Sequence, residues 1–238
     1  LGNLKDTQIA LLASTQVGAL SATNFSALDA TAIGALTATQ LKGVTATQLG
    51  GITATALSNL SSTQIGQLST AQIAALNTTN LGNLATTQVS GLSATQVASL
   101  SPTNLGALSA GSLGSLNATQ VGGFTTAQIS GLTATALGNL KDTQIALLSS
   151  TQVGALSATN FSSLSSTAIG ALTSTQLKGV TTAQPSGLSS TALSNFSSTQ
   201  IGQLSTAQVG ALGATNFGNL STTQVSGLSA TQVASLSN

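Results

Sequence analysis

Groups able to do acid–base or nucleophilic chemistry are few in this chain and far apart. Asp6, Asp29 and Asp142 are the only carboxylate side chains, and Lys5, Lys42, Lys141 and Lys178 the only amines; His, Cys, Glu, Arg, Tyr, Trp and Met do not occur. A Ser or Thr nucleophile would have no histidine to take its proton. Lys5–Asp6 and Lys141–Asp142 are adjacent, but they are two copies of one segment and read as exposed charges at helix starts. Metal ions need clustered His, Cys or carboxylates, and no such cluster stands in the sequence. The Asp-rich glycine nonapeptide of calcium-binding rolls is absent too. Gly50-Gly51 and Gly122-Gly123 lack the Gly-Lys-Ser/Thr of a phosphate loop and read as turns. No catalytic, cofactor-binding or metal residue is assigned, and the expectation is a protein that is not an enzyme, with no cofactor and no small-molecule substrate.

Other partners are limited in the same way. With a net charge of +1 and no basic cluster, the chain lacks what displaces counterions from a nucleic acid. Its five Phe sit at apolar repeat positions and read as core, not as base-stacking platforms. No apolar run of about 18 residues exists, so membrane insertion is not expected. Nor does the sequence open on a basic stretch followed by an apolar one, as a signal peptide does. Without cysteine there is no disulfide framework.

What the sequence does contain is one octad, written repeatedly. Leu92–Ser99 reads Leu-Ser-Ala-Thr-Gln-Val-Ala-Ser, and 29 complete octads run from Leu4 to Ser235 without insertion or deletion. Position 1 is always apolar, and is Leu in 24 octads. Position 2 is Ser, Thr, Asn or Asp in 24, position 4 is Thr in 24, and position 5 is Gln in 18 and Asn in 5. Position 6 is Ile, Val, Leu or Phe in 28; positions 7 and 8 are mostly small.

That order predicts a short helix in every octad. A hydroxyl at position 2 serves as the N-cap, accepting from one of the backbone N–H groups that a helix start leaves without a partner. Gln three residues on reaches back to the cap residue's N–H, which completes a capping box. Positions 1 and 6 then fall where a hydrophobic staple places its two apolar side chains. Ser69 with Gln72, and Ser93 with Gln96, are representative caps; Leu68, Ile73, Leu92, Val97, Leu100 and Leu105 are representative core. Pro102 falls at the first helical position, where proline is tolerated. Asp6 and Asp142 fall there as well, behind Lys5 and Lys141 at the cap position, and are expected to cap in their place. Gly at positions 7 and 8 is expected to end each helix in a left-handed C-cap, and small residues there should let neighbouring backbones approach closely. Pro185, at position 6, suits no regular backbone because it lacks an N–H. The expected fold is therefore all-α, a solenoid of short capped helices, one per octad. A β-solenoid is the alternative, since Thr, Val and Ile favour extended backbone; against it, positions 1 and 6 differ in parity.

A lone octad buries too little to fold alone, so octads must stack. Positions 1 and 6 should form the inner seam, with Ser, Thr and Gln covering the outside. A longer repeat overlies the octads: residues 1–102 match 137–238 at 82 of 102 positions, an offset of 136 residues or 17 octads. The expectation is one solenoid domain over residues 1–238, a window of a longer tract, since the sequence starts and stops within an octad.

The motif, as in Leu68-Ser-Thr-Ala-Gln-Ile-Ala-Ala75, resembles octapeptide repeat tracts of very large bacterial surface or secreted adhesin-like proteins. The resemblance covers nearly the whole chain. It implies a stalk or fibre role outside the cell. The nearly uncharged surface, repeated every octad, adds the expectation of a filament formed by self-association; the passive stalk or spacer of a large adhesin is the alternative. A row of position-4 Thr binding ice or polysaccharide is a further alternative. The resemblance carries over no functional residue.

Overall fold

The computed structural model describes residues 6–236, except the side chain of Asp6. All regular structure among them is helical, with 29 short helices from α1 (Asp6–Ile9) to α29 (Ala230–Ala234), one per octad and most five residues long. The β alternative fails because the local hydrogen bonds favour the helix start in nearly every repeat. In octad 12, Ser93 is extended at ψ 160°, its Oγ accepts from the Gln96 N–H at 3.1 Å, and the Ser93 N–H donates to Gln96 Oε1 at 2.7 Å. Octad 9 repeats this at Ser69 and Gln72. Where position 2 is Ala13, Ala85 or Lys141 there is no side-chain cap, and only the glutamine half of the box remains.

Each helix ends differently from expectation. Instead of left-handed C-caps, the position-8 residues are right-handed helical or the chain passes directly to the extended position-1 residue. The position-1 N–H closes a tighter turn onto the position-6 carbonyl, as Leu100 does on Val97 at 3.2 Å. The next extended N-cap then redirects the chain, so no positive φ is needed. Gly213 alone among the described residues has one, at +68°, and it stands at position 2.

The chain divides into two compact units, residues 1–123 and 124–238, the boundary falling between octads 15 and 16. In each unit a helix packs on the helix three octads away. In the first, α2 (Ser14–Gly18) lies on α5 (Ala38–Gly43), which lies on α8 (Ser62–Gln67), then α11 (Thr86–Ser90) and α14 (Ala110–Ser115). In the second, α19 (Ser150–Ala155), α22 (Ser174–Gly179), α25 (Ser198–Gln203) and α28 (Thr222–Ser226) form the same kind of column. Three octads, 24 residues, therefore complete one turn, and each unit has three columns of helices.

Positions 1 and 6 fill the centre: Leu68, Ile73, Leu92, Val97, Leu100 and Leu105 are all buried. Burying a side chain of this size contributes roughly 1.5–3 kcal/mol. At Pro185 the missing N–H shortens the helix to Ala183–Ser186, and the cap residue before it is helical and makes no side-chain bond. The ring is buried all the same, beside an apolar cavity of about 10 Å³ that Phe161 and Phe196 help to line. Those two rings lie 6.2 Å apart, tilted by 43°.

Small residues at positions 7 and 8 do let backbones meet. A Cβ on Gly66 would stand 2.7 Å from the carbonyl oxygen of Gly91, one turn on, and a Cβ on Gly91 would overlap the Ser62 carbonyl oxygen. Gly18 with Gly43, Gly154 with Gly179 and Gly202 with Gly227 make the same close approach. Two of these four pairs are the other two moved by the 136-residue repeat.

Candidate functional site: the glutamine ladder

Position 5 corrects the expectation that glutamine coats the outside. Gln40, Gln48, Gln64, Gln72, Gln88, Gln96, Gln120, Gln152, Gln176, Gln184, Gln200 and Gln208 are between 0 and 6% exposed. Oε1 is spent on the box within the octad, while Nε2 turns inward and backward. Gln96 Nε2 donates to the carbonyl oxygens of Ile65 at 3.0 Å and Leu68 at 2.7 Å. Gln48 does the same to Val17 and Leu20, both at 2.8 Å, and in the second unit Gln224 to Leu193 and Phe196, both at 2.8 Å. The acceptors lie 31 and 28 residues back: position 6 four octads earlier and position 1 three octads earlier. One carboxamide thus caps its own helix and ties it to the preceding turn. No buried side-chain N or O among the described residues lacks a partner.

The variants at this position separate the two tasks. Asn80 and Asn160 keep the inter-turn bond, to Ile52 at 2.7 Å and Leu132 at 2.8 Å, but are too short to complete the box. Ser112 reaches the Leu84 carbonyl at 3.1 Å. Ala56 and Ala192 do neither, and another residue supplies the cap bond: the Thr53 N–H donates to Ser26 Oγ at 3.2 Å and the Ser189 N–H to Ser162 Oγ at 2.9 Å.

Among the described residues the charged side chains form no cluster. Asp29 caps α4 (Ala30–Gly34), accepting from the Ala32 N–H at 2.8 Å. Asp142 does not cap, contrary to expectation: behind the extended Lys141 its carboxylate instead accepts from Ser165 Oγ at 2.6 Å. Lys5 and the side chain of Asp6 lie outside the described residues. Among the described residues there is no cluster of three metal-ligating side chains, and no helix is long and apolar enough to cross a membrane.

The outer surface carries the hydroxyls. Position-4 side chains are exposed, and stacking by three octads sets them in columns, for example Thr15, Thr39, Thr63 and Thr87 in the first unit. No family model matches this sequence, and no curated protein matches it.

Proposed function

We propose that this chain is a structural repeat protein that builds an extracellular or cell-surface filament, or the stalk of one, by self-association. The observation that carries this reading is the glutamine ladder. Within each unit the position-5 glutamines reach back to the same two carbonyl positions of the turn before, so length can change by whole octads with no change in the rule of assembly. The scarcity of charge on the outside favours lateral contact, and weak contacts repeated at every turn add. Negative-stain imaging and sedimentation of the purified chain test this. Filaments, or association that grows with concentration, are expected; monodisperse short rods at every concentration would refute it.

A second reading has one observation in its favour. The columns of exposed Thr set a regular hydroxyl array on each face, suited to an ordered surface such as ice or a polysaccharide. Thermal hysteresis and pull-down on insoluble glycans test it; values equal to those of a control protein would remove it.

A further inference from the structure

One rung of the ladder is missing in a way that leaves a shaped opening. Octad 21 has Ala168 at position 5, so nothing reaches the Leu137 and Leu140 carbonyls as a glutamine would. Leu137 O accepts from the Leu140 N–H at 3.0 Å, and neither the Leu140 carbonyl nor the Ser165 N–H has a hydrogen-bond partner. In the octads of Ala56 and Ala192 a serine at position 7 of the earlier turn fills the cap bond. Here that position is Gly138, and a Cβ there would meet nothing within 4 Å. The result is a groove of about 270 Å³ lined by Leu137, Leu140, Ser165 and Ala168, with the Asp142 carboxylate among its walls.

The groups left over define the ligand. The Leu140 carbonyl oxygen, beside a Leu137 carbonyl that accepts only from its own turn, calls for an –NH₂, and the Ser165 N–H calls for a carbonyl oxygen, which is the pattern that Gln96 satisfies in its own octad. The carboxylate adds a further acceptor for an N–H and repels an anion. Glutamines able to supply such a group stand elsewhere on the surface. Gln67 and Gln203, related by the 136-residue repeat, are exposed at the ends of α8 and α25, and their side chains make no hydrogen bond.

We propose that the groove beside Ala168 receives a primary carboxamide, supplied by an exposed glutamine (Gln67 or Gln203) of a second copy of this chain. The second-copy part rests on the self-association proposed above; the carboxamide chemistry does not. The test uses the full chain with propionamide as probe and propionate as its isosteric control. Hydrogen exchange of the Ser165 amide should slow about fivefold, one ordinary hydrogen bond's worth, with saturating propionamide and not with propionate. Ala168→Gln, which supplies the group from within, should abolish this response and weaken association; Gln67→Ala with Gln203→Ala should weaken association and leave the response intact. No slowing by propionamide, or equal slowing by propionate, would overturn the carboxamide site. Association unchanged in both variants would overturn the second copy as its source while the filament reading stood. A wild-type chain that stays monomeric would overturn both the filament reading and that source, with the propionamide result still deciding the site.

Discussion

Substitution of Gln96 should separate the two jobs of one side chain. Gln96 makes a box bond at 2.7 Å and two inter-turn bonds at 3.0 and 2.7 Å. At about 1 kcal/mol net for each bond, Gln96→Ala should lower local stability by about 3 kcal/mol. Gln96→Asn, following Asn80 and Asn160, keeps one inter-turn bond and should cost about 2 kcal/mol by the same count. Gln96→Glu keeps the box acceptor but turns an oxygen toward two buried carbonyls. Burial and those carbonyls raise the folded-state pKa of the introduced carboxyl above its unfolded value of about 4.3. The variant is therefore most stable relative to wild type below that value, where the acid can donate, and loses stability as pH rises through its folded pKa. Wild type has no titratable group at this rung, so the difference curve isolates it. Each turn can open separately, so the readout is amide exchange of residues 62–69 and 93–97, which reports local opening free energy. Equal losses for Asn and Ala, or a flat pH profile for Glu, would refute the division of labour.

Three other substitutions probe the remaining contacts. Gly91→Ala drives a Cβ into the Ser62 carbonyl oxygen and should cost about 2 kcal/mol or more in thermal unfolding, whereas Gly34→Ala, with nothing within 4 Å of its Cβ, should be neutral or stabilising by up to about 1 kcal/mol. Ser93→Ala removes the cap bond to Gln96 and should cost about 0.5–2 kcal/mol, while Thr87→Ala, at an exposed hydroxyl, should stay within about 0.5 kcal/mol. Pro185→Val restores a helical N–H facing the Thr181 carbonyl and should raise the thermal midpoint; a lower midpoint would mean that the surrounding Phe161 and Phe196 have settled around the ring.

The parts legible in the sequence are those whose partners lie a few residues apart. Ser93 and Gln96 meet across three residues, so spacing alone exposes the box, and Leu92 and Val97 reveal the buried seam. The second half of Gln96 is hidden there, because its acceptors, Ile65 and Leu68, lie 31 and 28 residues away and are backbone groups that any residue carries. For the same reason the three-octad turn cannot be read from the octad, whose every copy looks alike. Composition points the glycines to left-handed C-caps, whereas Gly43 and Gly91 stand where two backbones distant in sequence touch, a contact that only stacking discloses. Asp142 stands beside the cap position, which suggests a cap; its partner, Ser165, comes from the next turn.

The 24-residue turn also sets how such a chain would yield to a pull. Within each unit a turn is joined to the one before by glutamine amides and apolar contacts, so tension along that unit would open it layer by layer rather than all at once. Each layer that gives way releases 24 residues, about 80 Å of extended chain. The amides and their carbonyls are left in place to re-form the same bonds when the load drops. Under such a load the ladder would lengthen in steps set by the spacing of its glutamines.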